Sequence, residues 1–163
     1  MTPCYPAAPM GKTLIIAEKP SVGQDYARAL GGGFAKHEGY LESDEKIVSW
    51  AVGHLVELAE PEDYDESLKR WSIKTLPVLP ETFKLRPDAR HRKQLDVIKK
   101  LMRRPDVDDI VNGCDAGREG ELIFAYIMDV AKSGKPVRRL WVSSMTKSAI
   151  GRASCRERVS YHV

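Results

Sequence analysis

Thr13-Leu14-Ile15-Ile16-Ala17-Glu18-Lys19-Pro20-Ser21 is the stretch that decides the fold. Its first five residues run without polar alternation, the pattern of a strand buried on both faces of a parallel sheet. Glu18-Lys19-Pro20 ends the run. Ser21 is the expected N-cap of a helix on which Val22, Tyr26, Ala29 and Leu30 recur at i, i+4, i+7 and i+8. Gly31-Gly32-Gly33 stops that helix.

The same reading extends outward. Residues 47–52 form a second strand pattern, broken by Gly53-His54. Residues 61–87 hold four prolines and read as a long irregular connection. A helix is predicted over about 90–103, with Leu95, Ile98, Leu101 and Met102 on its apolar side and Arg and Lys outside. Residues 107–111 read as a strand, residues 114–120 as a tight polar turn, and about 119–132 as a helix with Leu122, Ile123, Tyr126, Ile127 and Val130 on one face. A last short strand covers 138–142, followed by Ser143-Ser144. Strands alternating with amphipathic helices give an α/β fold, with a mainly parallel sheet and helices on both faces.

Composition bounds the function. The chain has 163 residues, 42% apolar and 30% charged, the balance of one ordinary soluble domain. No apolar run approaches the ~20 residues of a membrane span, and residues 1–10 lack the parts of a signal peptide. Cys4, Cys114 and Cys155 form no spaced framework, so a reducing cytoplasm is expected. The net charge of +3 is weak evidence for a polyanionic partner. Its distribution says more. Residues 84–104 carry nine Lys and Arg against Asp88 and Asp96, and residues 57–66 carry six acids. Two solvated faces explain this as well as a nucleic-acid surface does.

Both ends differ from the middle. Residues 1–10 hold three prolines and read as an extension without order, and Met10 is a candidate start. Residues 151–163 interrupt a nascent helix and resemble a translated sequencing adapter, so they are expected to be non-native. They hold three arginines and one glutamate, and without them the net charge falls from +3 to +1. The domain is expected over 11–150.

Ligands of open parallel sheets bind beyond the carboxyl ends of the strands. Glu18-Lys19 follows the first strand, and Asp115-Ala116-Gly117-Arg118-Glu119-Gly120-Glu121 follows the 107–113 strand. If those strands are adjacent and parallel, Glu18, Asp115 and Glu119 meet at one rim. Their repulsion calls for a hard divalent cation such as Mg²⁺, with Lys19 and Arg118 beside it suited to a phosphodiester. A helix N-terminus decorated with acids is the blander reading of Glu119 and Glu121. Gly11-Lys12-Thr13 ends like a phosphate-binding loop, but Pro6 stands where that loop needs glycine. His54 is expected to be a structural strand-end histidine. Ser143 and Ser144 would bind phosphate or cap a helix.

Four blocks occur in order: residues 14–21, Gly53-His54-Leu55-Val56-Glu57-Leu58, Asp115-Ala116-Gly117-Arg118-Glu119-Gly120-Glu121-Leu122, and Trp141-Val142-Ser143-Ser144-Met145-Thr146. Together they resemble the N-terminal Toprim domain of bacterial type IA DNA topoisomerases, most like the topoisomerase III group, over about 11–150. The resemblance implies a Toprim (Rossmann-like) fold. It implies Glu18 as catalytic general acid or base, Lys19 on the scissile phosphate, and Glu18, Asp115 and Glu119 as Mg²⁺ positions. Arg118, Ser143, Ser144, Arg92 and Lys93 are expected on DNA or phosphate. The family usually has a second aspartate where this chain has Gly117, and a water can replace that ligand. The resemblance further implies a bacterial cytoplasmic, nucleoid-associated protein acting on a single-stranded region of duplex DNA. The nucleophilic tyrosine would lie in downstream domains, leaving the isolated chain inactive. The alternatives are a stand-alone Toprim nuclease or primase-like protein, and a non-enzymatic nucleic-acid module built on residues 84–104.

Overall fold

The structure, a computed structural model, describes residues 11–70, 72–142, 146 and 148–150. The expected N-terminal extension and adapter-like tail lie outside those residues. The apolar run becomes β1 (Lys12–Ala17), at the centre of a six-stranded sheet. The chain continues through α1 (Pro20–Leu30), β2 (Ala35–His37), β3 (Tyr40–Glu42), β4 (Lys46–Trp50) and β5 (Val56–Leu58). It then runs through β6 (Leu85–Pro87), α2 (Arg92–Arg103), β7 (Val107–Gly113), α3 (Arg118–Ala131) and β8 (Val137–Arg139). The sheet order is β2-β3-β4-β1-β7-β8. β1 pairs in parallel with β4 and β7, and β7 in parallel with β8.

β1 shows why a continuous apolar run was needed. Leu14 and Ile16 enter one core cluster with Ile47, Ile110, α2 and α3. Ile15 and Ala17 enter the other, with Val48, Val111 and Tyr26 of α1. Helices therefore cover both faces. Leu14, Ile16, Ile47, Ile98, Ile110 and Ile127 are all 0% exposed, each contributing about 1.5–3 kcal/mol of transfer free energy. The predicted apolar side of α2, Leu95, Ile98, Leu101 and Met102, is buried in full.

The structure departs from expectation at four places. Ser21 does not cap α1. The helix starts at Pro20, whose missing N–H costs nothing at the first helical position, and Lys19 is the cap residue. The antiparallel hairpin β2–β3 extends the sheet beside β4. Its strands are three residues long and β2 is wholly exposed, so no apolar alternation announced it. The proline-rich connection is flanked by the antiparallel pair β5–β6 and contains three short 3₁₀ turns. On α3 the buried side chains include Ile123, Phe124, Ile127 and Ala131, while Leu122 is 40% exposed. Tyr126 and Val130 of the expected face pack against the core while partly exposed, so the expectation fails only at Leu122, and Phe124 joins the buried side.

At the amino-terminal rim of the sheet an ionic network ties the edge hairpin to β7. Arg104 contacts Glu42 at 2.7 Å and Asp106 at 2.6 Å, and Lys12 reaches Glu42 at 2.5 Å. The guanidinium hydrogen bonds hold the Glu42 carboxyl down at about 2, and Arg104 likewise holds Asp106 at about 2.

Candidate functional site

Parallel pairing brings Ala17 opposite Gly113, so the residues after them leave the sheet at one carboxyl rim. Glu18 is only 7% exposed there. Burying a carboxylate requires compensation. The Asp115 backbone N–H donates to Glu18 Oε2 at 3.3 Å, and Lys19 Nζ lies 3.4 Å from Glu18 Oε1. The side chains of Asp115, Arg118 and Glu119 are exposed.

The acidic turn is folded back on the start of α3. Gly117 N–H donates to Asp115 O at 2.8 Å. A Cβ on Gly120 would stand 2.2 Å from Asp115 O, so this turn admits only glycine there. Gly117 caps α3 with no side-chain bond, and Glu119 and Glu121 in the first turn complement the helix dipole.

Arg139 supports the turn from beneath. Its side chain is fully buried, and Nη2 donates to Asp115 O at 2.8 Å. Nη1 lies 3.0 Å from Glu121 Oε1, an ionic contact without hydrogen-bond geometry, and Nε has no partner among the described residues. Asn112 Nδ2 donates to Glu121 Oε2 at 3.3 Å. The Arg139 guanidinium also lies 5.4 Å from the centre of the Trp141 ring.

Of the expected site residues, Glu18, Lys19, Asp115 and Arg118 share this rim. Glu119 turns to His54, with Oε1 3.3 Å from Nε2. Arg92 and Lys93 are exposed at the start of α2. Gln94 anchors that end of the helix by donating to Trp50 O at 2.7 Å, and Trp50 pairs with Ala17. Ser143 and Ser144 lie outside the described residues. Within the basic block, Arg86, Arg90 and Arg104 are paired with acids. Among the described residues, Arg92, Lys93, Lys99, Lys100 and Arg103 have no ion-pair partner.

The donors offered here are carboxylate oxygens, which suit a hard cation. Among the described residues, no three of His, Cys, Asp and Glu are gathered closely enough to hold a metal. Mg²⁺ is commonly held by one or two carboxylates with waters and substrate phosphate, and the neighbouring Glu18 and Asp115 fit that arrangement in kind.

Two nucleophile types behind the rim are inert. Tyr26 donates its hydroxyl to Gly113 O at 2.8 Å, and burial drives its pKa well above the ordinary value. Burial, with the negative charge of Glu18 adding to it, pushes the Cys114 thiol up to about 12. Sequence reasoning missed Arg139 and Trp141 and set His54 aside. Arg138-Arg139 within a short apolar strand was the available signal, because a buried strand rarely carries arginine without a partner.

A family profile described as the Toprim domain matches residues 13–145. Over 141 residues the chain is 49% identical to a protein named DNA topoisomerase 3 from Bacillus cereus, covering 86% of this chain and 19% of that protein. It is 50% identical to its namesake from Bacillus licheniformis and 48% to that from Bacillus subtilis, with the same coverage of 86% and 19%. The chain thus spans about one fifth of the length of these relatives. The full-length topoisomerase I of Thermotoga maritima shares the fold at a TM-score of 0.54 and 19% identity, over 89% of this chain and 21% of that one. Among the described residues no helix is long and apolar enough to cross a membrane.

Proposed function

The chain belongs to the Toprim domain family, and from that premise we propose that it is the metal- and phosphate-handling part of a type IA DNA topoisomerase. The parent enzyme would break one DNA strand, pass another through and rejoin the break without ATP, because a 5′-phosphotyrosine keeps the ester energy. The observation that carries this is the meeting of Glu18 and the acidic turn at one rim, with Lys19 beside them. The near-half identity to proteins named DNA topoisomerase 3 supports the choice within the family.

In this reading Glu18 moves a proton at an oxygen of the scissile phosphate, and Lys19 and Arg118 bind its charge. Arg92 and Lys93 hold flanking backbone. Glu18 and Asp115 would be the oxygen donors for Mg²⁺, joined by Glu119 once it leaves His54, and the bound ion would polarise a phosphoryl oxygen. The nucleophilic tyrosine belongs to domains beyond this chain. DNA, in a single-stranded region of a duplex, and those further domains are the partners, at the nucleoid of a bacterial cytoplasm.

Two experiments test this. The source DNA is sequenced past the codon for Ile150, and an open frame of several hundred residues with a tyrosine-bearing domain is expected. A stop codon just after Val163 would overturn it. Separately, Mg²⁺ binding to the chain is measured by calorimetry. Glu18→Gln and Asp115→Asn should each weaken it at least several-fold. Mg²⁺-dependent cutting of DNA by the isolated chain, without a covalent adduct, would favour the nuclease reading instead.

A further inference from the structure

We propose that Trp141 is a stacking platform for an unpaired nucleobase, set beside the acidic turn by Arg139. This rests on the DNA-handling reading above and adds to it a seat for a base beside the reacting phosphate.

Trp141 is 52% exposed, a large aromatic left half in water. Its backbone is not free to wander. Arg139 pairs with Asn112 of β7, and the Leu140 N–H donates to Asn112 O at 2.9 Å. Leu140 itself is buried, at 6% exposure. The residue before Trp141 is thus fixed to the strand that carries the acidic turn.

The indole is also wired to that turn through one side chain. The guanidinium 5.4 Å from its ring centre is the same group that donates to Asp115 O and contacts Glu121. The Arg139 side chain is fully buried, packed beneath the turn it contacts. A cation over an aromatic ring is attracted by the ring's electron density, so Arg139 restrains the indole without covering its exposed half. From Trp141 the path to Glu18 is three contacts: Trp141 to Arg139, Arg139 to Asp115, and Asp115 to Glu18.

An exposed, restrained aromatic beside a phosphate-handling rim suits a nucleobase. Every base has a π-face, so stacking tolerates any sequence, and it requires the base to be unpaired. Lys19, 58% exposed, and the exposed Arg118 supply positive charge for the adjoining backbone. The acids of the rim oppose a polyanion, so binding should depend on divalent cation.

The test uses the 163-residue chain, a short oligothymidylate and Mg²⁺, with duplex of equal length as control. The oligothymidylate should quench intrinsic tryptophan fluorescence more than the duplex does. Affinity is read separately by anisotropy of a labelled oligothymidylate. Trp141→Phe keeps a ring and should bind within a few-fold of wild type. Trp141→Leu keeps apolar bulk without a ring and should bind about 5- to 150-fold more weakly. Melting curves of both variants confirm that each is folded. Equal affinity of the Phe and Leu variants, or equal quenching by duplex, overturns the stacking platform while leaving DNA handling intact. Failure of folded wild-type chain to bind either nucleic acid with Mg²⁺ overturns both.

Discussion

Glu18 and Asp115 meet through a backbone N–H and a carboxylate: the amide of Asp115 donates to Glu18 Oε2 at 3.3 Å, while the Asp115 side chain is exposed. The position of the acidic turn therefore sets how the buried glutamate is held. Anything that moves the turn should be felt at Glu18.

Gly120→Ala is the sharpest way to move it. The added Cβ would stand 2.2 Å from Asp115 O, where a backbone atom must give way. A stability loss of about 1–3 kcal/mol is expected from overpacking, together with weaker Mg²⁺ binding. Thermal melts and calorimetry on the same sample check both.

Gly117→Asp should do the opposite. Gly117 has extended φ of −143°, and a Cβ there meets nothing within 4 Å. Aspartate at this helix N-cap should stabilise by a few tenths of a kcal/mol and bind Mg²⁺ more tightly by adding an oxygen donor. Unchanged affinity with a raised melting temperature would make position 117 a cap alone.

The amino-terminal rim predicts a pH dependence. Hydrogen bonds from Arg104 lower Glu42 from 4.5 to about 2 and Asp106 from 3.8 to about 2. A depressed folded-state pKa gives stability that is present above the unfolded value and is lost as pH falls through the folded one. Arg104→Met should therefore be less stable than wild type by about 1–3 kcal/mol above pH ~4.5. The gap should close as pH approaches 2. A gap independent of pH would mean that Arg104 acts by packing.

The unpaired cations of α2 predict a salt effect. Arg92→Glu with Lys93→Glu should weaken DNA binding and reduce the slope of log affinity against log salt by about 1–2. No change would return this helix to a merely solvated face.

Cys114 should resist alkylation at pH 8 in the folded chain, because its thiol is 2% exposed and titrates near 12. Peptide mass spectrometry before and after denaturation reads this directly. Rapid modification under native conditions would show that the site opens.

The sequence by itself determined the elements whose signal is local and dense. A run of apolar residues long enough to face two cores could only be a central strand, and Leu14, Ile15, Ile16 and Ala17 divide between the two clusters accordingly. Four apolar residues at helical spacing marked the buried side of α2. Glu18 and the acidic turn were legible because both follow strands, where a parallel sheet exposes its ligand edge. Tertiary structure alone decided the rest. The exposed three-residue strands of the hairpin exist because β4 offers them an edge, not because their own sequence demands it. Glu119 faces His54 because the loop after β4 and the start of α3 converge, at a separation of 65 residues. Arg139 reaches the acidic turn, and Trp141 reaches Arg139, only because β8 docks on β7, since a strand has no means of announcing which neighbour its side chains will find.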